Sequence, residues 1–235
     1  NIQMSKNSLY RDLTAWGSQY PLHYKMKDSE KFIEWTEEKF DYVKYNPRKP
    51  VNRFGLSITS LDGGLSGIPD LDSLIEYNIE HETNYTERDF ATPTPVLEWE
   101  SLKNILKPFE GHIFRTHVLK LGWGGFFPPH RDHPDTALWE NSSRDPETKC
   151  WIGEPNKVSL DTFRLIMPLK NCDTPNMNFV LEEKILHWRQ GVLYFVDTAR
   201  MHYLFNTSVN PSYWLVVNVD VNDTTLANVL RNIDA

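Results

Sequence analysis

The stretch from Gly191 to Asp220 reads GVLYFVDTARMHYLFNTSVNPSYWLVVNVD. It holds three short runs rich in β-branched and aromatic side chains, GVLYFV, HYLF and YWLVVNVD. Polar turns at Asp197 to Arg200 and Asn206 to Pro211 separate them. Each run is shorter than the roughly ten residues expected of a helix, and turn residues bound it, so each reads as a strand. The pattern extends upstream. HIFRTHVLKL, TFRLIMPL and EKILHW are set apart by Gly122 to Gly125, Asn171 to Pro175 and Gln190-Gly191. Evenly spaced short strands with polar turns predict a β sandwich or barrel.

Before Gly111 the texture differs. In SEKFIEWTEEKFDYVKY, Ser29 to Tyr45, the residues Phe32, Ile33, Trp35 and Phe40 make a helical stripe. Leu71 to Ile79 predicts a second helix, started by Pro69-Asp70, and Trp99 to Leu106 a third. NRFGLSITSLDGGLSG lies between the first two and reads as a short strand with a Gly-rich turn. No Gly/Ser or Pro linker divides the chain. The expectation is one domain over residues 1–235, mainly β (α+β), with helices packed outside. Its parts are a helix-rich stretch over 1–110, a β core over 111–221, and a C-terminal tail or helix over 222–235. A polar, proline-bearing insertion from His133 to Ser159 interrupts the β core. A loop of that length is usually functional or disordered.

Composition narrows the function. Hydrophobic residues make up 40% of the 235, and eight Trp and twelve Phe supply material for a β core. A net charge of -7 argues against general nucleic-acid binding. Cys150 and Cys172 form neither a CxxC nor a disulfide framework and read as free thiols. No apolar run is long enough for a bilayer, and NIQMSKNSLY has no signal-peptide apolar segment, so a soluble cytoplasmic protein is expected. The sequence sets no oligomeric state.

The chemistry concentrates in FFPPHRDHPD, Phe126 to Asp135. In a strand, residues two apart share a face, so His130 and Asp132 aim together. One imidazole and one carboxylate can fill two corners of a metal site. Two histidines and one carboxylate, with the other positions open, suit non-haem Fe(II). His133 and Asp135 repeat the spacing, but Pro134 removes a ladder donor there, so that pair is assigned to the loop. His202, after an apolar strand and a short turn, is the best third ligand. His112 and His117 differ in parity, so at most one of them faces inward. His187 is expected in a strand beside Trp188, and His23 and His81 lie in the helical half.

FFPPHRD, then TFRLIMPL, then GVLYFVDTARMHYLFNTSVNPSYWLVVNVD, in that order, resembles the iron(II)- and 2-oxoglutarate-dependent oxygenases over about residues 111–221. The branch it resembles is the aspartyl/asparaginyl β-hydroxylase-like or prolyl hydroxylase-like one. The resemblance implies a double-stranded β-helix (a jelly roll, cupin-like). It implies iron held by His130, Asp132 and His202, and 2-oxoglutarate contacted by Arg164, Asn206 and Ser212. It also implies hydroxylation of an unactivated C–H bond with O2. An arginine suits a carboxylate because its planar fork binds two oxygens at once. The family usually carries a further arginine in a Pro-Arg-aromatic-Leu-Val context, where this chain has Ser212. A serine donates one hydrogen bond and neutralises no carboxylate. Arg115, Lys120 and Arg200 are the alternative cations.

The substrate is expected to be an amino acid, a peptidyl side chain or another small metabolite, with no nucleic-acid or membrane partner. Trp123, Phe126, Phe127 and Trp139 are expected to cap the barrel, and Arg131, Arg144 and Lys149 to be solvated. The segment Arg53 to Gly64 could reach the mouth of the site. Two other function classes fit the same ligands. One is a non-catalytic jelly-roll binding module with an idle metal site, and the other a zinc-dependent hydrolase, which would need a well-placed general base.

Overall fold

A computed structural model describes residues 7–45, 49–66, 71–132, 143–144, 151–152 and 162–235. The helices are α1 (Ser8–Trp16), α2 (Ser29–Lys39), α3 (Leu71–His81), α4 (Glu100–Leu106) and α5 (Asp223–Arg231). The early strands are β1 (Gln19–Lys25), β2 (Val43–Lys44), β3 (Arg53–Ser57), β4 (Thr59–Ser60) and β5 (Thr92–Pro93). The central ones are β6 (Ile113–Leu121), β7 (Phe126–His130), β8 (Ser143–Arg144), β9 (Trp151–Ile152) and β10 (Thr162–Lys170). The last are β11 (Met177–Leu181), β12 (Lys184–Ile185), β13 (Val192–Val196), β14 (His202–Asn206) and β15 (Ser212–Asp220).

Two antiparallel sheets dominate. The larger has the order β1-β13-β10-β15-β6-β3-β2 and the smaller β12-β11-β14-β7. The strands of the large sheet alternate cleanly. Phe163, Leu165, Met167 and Leu169 of β10 join Leu193 and Phe195 of β13 and Leu215, Val217 and Val219 of β15 on one face. Helices α1, α2, α4 and α5 cover that face with Leu13, Phe32, Leu102 and Leu226. The opposite face packs Leu119, Ile166, Tyr194 and Trp214 against Met177, Phe179 and Leu204 of the small sheet. Burying one such side chain contributes about 1.5–3 kcal/mol. A period of two therefore sends the apolar residues of these strands alternately to one core or the other.

Helix boundaries follow local chemistry. The Asn7 side chain caps α1 by accepting from Tyr10 N–H. Asn222 and Thr225 form a reciprocal capping box that starts α5, the helix at the C-terminal end. The stripe expected to run to Tyr45 stops at Lys39, and Val43–Lys44 leaves to pair with β3. The helical part is thus also a sheet part, since β1, β2 and β3 extend the large sheet across the expected boundary at Gly111. EKILHW keeps only Lys184 and Ile185 in a strand. His187 is exposed beyond it, where its Nδ1 meets Thr174 Oγ1 at 3.3 Å. Among the described residues, no helix is long and apolar enough to cross a membrane.

Two local features shape the site. At Gly125, just before β7, a Cβ would collide with the carbonyl oxygen of Asn52. On β6, Arg115 adopts φ 39°, and the register with β15 shifts beside it. This bulge is held by Arg115 N–H donating to Phe90 O at 2.7 Å. Bulges re-aim side chains, and here both Arg115 and His117 reach the space between the sheets.

Candidate metal centre

His130 ends β7 and His202 begins β14, and the two are direct cross-strand partners. Opposed residues bring their Cβ atoms to about 5 Å, and the two imidazole centroids lie 4.3 Å apart. Asp132 sits beyond the end of β7, so strand parity alone does not aim it. Its N–H donates to Thr198 O at 2.9 Å, which fixes the backbone beside the start of β14. Its Oδ1 then lies 3.4 Å from His130 Nε2 and 3.9 Å from His202 Nε2. Ligand atoms of all three side chains fall within 4.8 Å of one another. Donors about 2.1 Å from a shared ion sit roughly 3–4 Å apart, so these spacings fit a metal.

The tautomers fit too. His130 Nδ1 lies 2.7 Å from Pro128 O, and His202 Nδ1 lies 2.9 Å from Arg200 O. A carbonyl only accepts, so each Nδ1 carries a hydrogen, and each Nε2 faces inward and is free to ligate in the neutral ring. Phe179 stacks on His202 at 6.0 Å between centroids, with planes 7° apart.

Charge is organised around Asp132. Burial works against its ionisation, but Arg164, the hydrogen bond from His130 and the two imidazoles hold its carboxyl well below the usual range. Arg164 Nε stands 3.1 Å from the other carboxylate oxygen, Oδ2. For His130, the cost of burial is outweighed by the Asp132 hydrogen bond and charge, and its pKa is raised. Burial dominates at His202 and lowers its pKa, which favours the neutral form that ligates.

The three residues border a cavity of about 590 Å³, counted out to solvent. Its deep wall is apolar, formed by Leu119, Ile166, Phe179, Leu204, Trp214 and Val216. Arg115, His117 and Arg164 add polar groups near the metal ligands. His117 is the inward-facing member of the early histidine pair. Burial, then the neighbouring Arg115, pushes its pKa down to about 3. Its Nδ1 donates to Arg115 O at 3.1 Å.

The structure places the other expected residues as follows. Arg164 and Phe127 border the cavity, and Arg53 borders a second pocket that shares Phe127, His130, Asp132 and Arg164 with it. Asn206 and Ser212 are not among the cavity-lining residues. Asn206 donates to Leu121 O at 2.9 Å and Asn210 O at 2.8 Å, and accepts from Ser208 N–H. It therefore braces the turn between β14 and β15. Ser212 is buried against Met177 Sδ at 3.2 Å. Of the alternative cations, Arg115 borders the cavity, where it pairs with Glu87 at 3.5 Å. Lys120 pairs with Glu37, and Arg200 pairs with Asp197 and Glu182, each at 2.9 Å. Trp123 is 67% exposed and serves no lining. Cys172 is a free thiol. His133, Asp135, Trp139, Lys149 and Cys150 lie outside the described residues, as does the side chain of Arg144.

Several cavity residues carry no motif. Tyr45, Thr198 and Trp214 line it. Trp214 was accessible through its parity with Ser212 on β15. Tyr45 lies within the helix-rich part and Thr198 within a turn, where periodicity gives no direction.

No family model matches the chain, and no curated protein matches it. Among solved structures it is similar to HygX from Streptomyces hygroscopicus, crystallised with nickel, 2-oxoglutarate and hygromycin B. That likeness has 10% identity and a TM-score of 0.48, and covers 94% of this chain and 88% of HygX. It is also similar to an oxidoreductase of the 2OG-Fe(II) oxygenase family from Burkholderia pseudomallei (10% identity, TM-score 0.47, 93% of each chain). A third is a prolyl-4-hydroxylase from Pseudomonas putida (10% identity, TM-score 0.45, 92% of this chain and 100% of that one). At these identities and TM-scores the likenesses decide nothing about chemistry, which rests on the three converging donors.

Proposed function

We propose that this chain is an iron(II)- and 2-oxoglutarate-dependent oxygenase with a double-stranded β-helix fold, which hydroxylates an unactivated C–H of an amino acid, a peptidyl side chain or another small metabolite. The observation that carries this is the convergence of His130, Asp132 and His202, with both Nδ1 atoms tied back to carbonyls. Two imidazoles and one carboxylate form the donor set of oxygen-activating iron, which needs positions left open for other ligands. Iron and 2-oxoglutarate, when bound, would activate O2, which supplies the oxidising power toward the C–H bond while 2-oxoglutarate is oxidised to succinate. The chain's own residues do the rest. Asp132 stays ionised at neutral pH, and the two Nε2 lone pairs face the same point as its Oδ1. Arg164 borders the cavity, and its Nη groups suit a ligand carboxylate. The apolar wall from Leu119 to Trp214 keeps water from the deep end.

A zinc hydrolase would need a base in this cavity. His117 is the histidine there outside the ligand set, and a pKa of about 3 makes it too weak a base near neutral pH. An idle binding module remains distinct in its spectrum and turnover. The test is anaerobic addition of Fe(II) and then 2-oxoglutarate. A weak visible charge-transfer band, followed by O2-dependent succinate release, is the expected result. Iron binding with neither band nor succinate would contradict the proposal. A metabolite and peptide panel scored by succinate release then selects the substrate.

A further inference from the structure

Asp132 has two oxygens with two different surroundings. Oδ1 faces the imidazoles at 3.4 and 3.9 Å, and Oδ2 faces Arg164 Nε at 3.1 Å. Arg164 belongs to the middle of the large sheet, in register with Val196 of β13 and Asn218 of β15. Asp132 hangs off the end of β7, the edge strand of the small sheet. The pair therefore bridges the two sheets at the cavity. Among the described residues, the backbone N–H to Thr198 O holds the Asp132 main chain and His130 Nε2 meets Oδ1 at 3.4 Å, so without Arg164 the Oδ2 edge of the carboxylate would lose its ion-pair partner. A carboxylate that can rotate can turn either edge, or both oxygens, toward an ion.

We propose that Arg164 is a positioning residue for the metal centre: it occupies Oδ2 of Asp132 and so presents Oδ1 alone to the ion shared with His130 and His202. This rests on the metal-centre reading above and adds a task to Arg164 beyond contact with a ligand carboxylate. Two effects of the guanidinium oppose each other. Its charge repels a divalent cation and makes the carboxylate less basic, and both weaken metal binding. Its contact fixes the carboxylate, which strengthens metal binding. Partners that orient metal ligands typically change affinity by about 10- to 100-fold when removed. If charge were the whole effect, removing Arg164 would tighten the metal.

The sign separates the two roles. Mn(II) alone, with no 2-oxoglutarate, is titrated by electron paramagnetic resonance into the full chain and into Arg164→Gln, Arg164→Lys and His202→Ala. The expected result is a loss of about 10- to 100-fold in Mn(II) affinity for Arg164→Gln, with partial recovery in Arg164→Lys. Thermal melting followed by circular dichroism verifies that each variant folds. Unchanged or tighter Mn(II) binding by folded Arg164→Gln overturns the positioning role while leaving the metal centre intact. Mn(II) binding that survives undiminished in His202→Ala overturns the metal centre itself, and the Arg164 role with it.

Discussion

On β10, Leu165 faces the helices and Arg164, one residue earlier, faces the small sheet. The same division runs along β13 and β15, where Phe195 and Leu215 point one way and Tyr194 and Trp214 the other. The helix-side face is apolar along its length and closed by α1, α2, α4 and α5. The inner face is apolar at depth and polar at the mouth. One set of strands thus builds a core that holds the sheet together and a wall that places chemistry. Changes on the first face should act on stability, and changes on the second on binding.

The sharpest break of that comparison is Phe195→Ala. The ring is fully buried against Tyr10, Tyr20 and Phe163. Urea unfolding should show a loss of about 3–5 kcal/mol, with metal affinity unchanged in the fraction that stays folded. Across the cavity on β14 of the small sheet, His202→Ala should shift the unfolding midpoint far less. It should weaken metal binding beyond the roughly 100-fold attributable to an outer partner, as read by equilibrium dialysis.

A pH titration separates the faces without mutation. Metal must displace the proton from His130, whose pKa is raised above 6.5. Mn(II) affinity should therefore fall by about tenfold per pH unit as pH drops below the raised folded pKa of His130. Asp132 does not join in, because it stays ionised well below 3.8. In the metal-free protein the sign is opposite. Protonated His130 beside Asp132 stabilises the fold at low pH, and that contribution is lost as pH rises through its folded pKa. The smallest effect is expected at Asn222→Ala, remote from both faces. Loss of the α5 cap should cost about 1 kcal/mol in thermal or urea unfolding and leave Mn(II) affinity unchanged.

The sequence made β6, β10, β13, β14 and β15 legible because period two and turn chemistry coincide there. The three converging donors were legible as residue types, and His202 because His130 and Asp132 needed a partner. Other features were hidden for physical reasons. Asp132 is aimed by a backbone hydrogen bond to Thr198 rather than by its strand. Arg115 enters the cavity through a bulge at positive φ, which no residue pattern announces. The strand read in NRFGLSITS is β3, whereas β2 lies inside the helical stripe expected to run to Tyr45, and β1 precedes it in a stretch where the sequence predicts no strand. Asn206 stands in a recognisable block, yet its amide is consumed by the turn to Asn210.

Anaerobic Fe(II) titration with metal analysis, comparing the unaltered chain with His130→Ala, Asp132→Ala and His202→Ala, reaches the central claim most directly. One iron per chain in the unaltered protein, with affinity lost in every variant, is the predicted result. Stoichiometric iron retained at undiminished affinity by folded His202→Ala would contradict it.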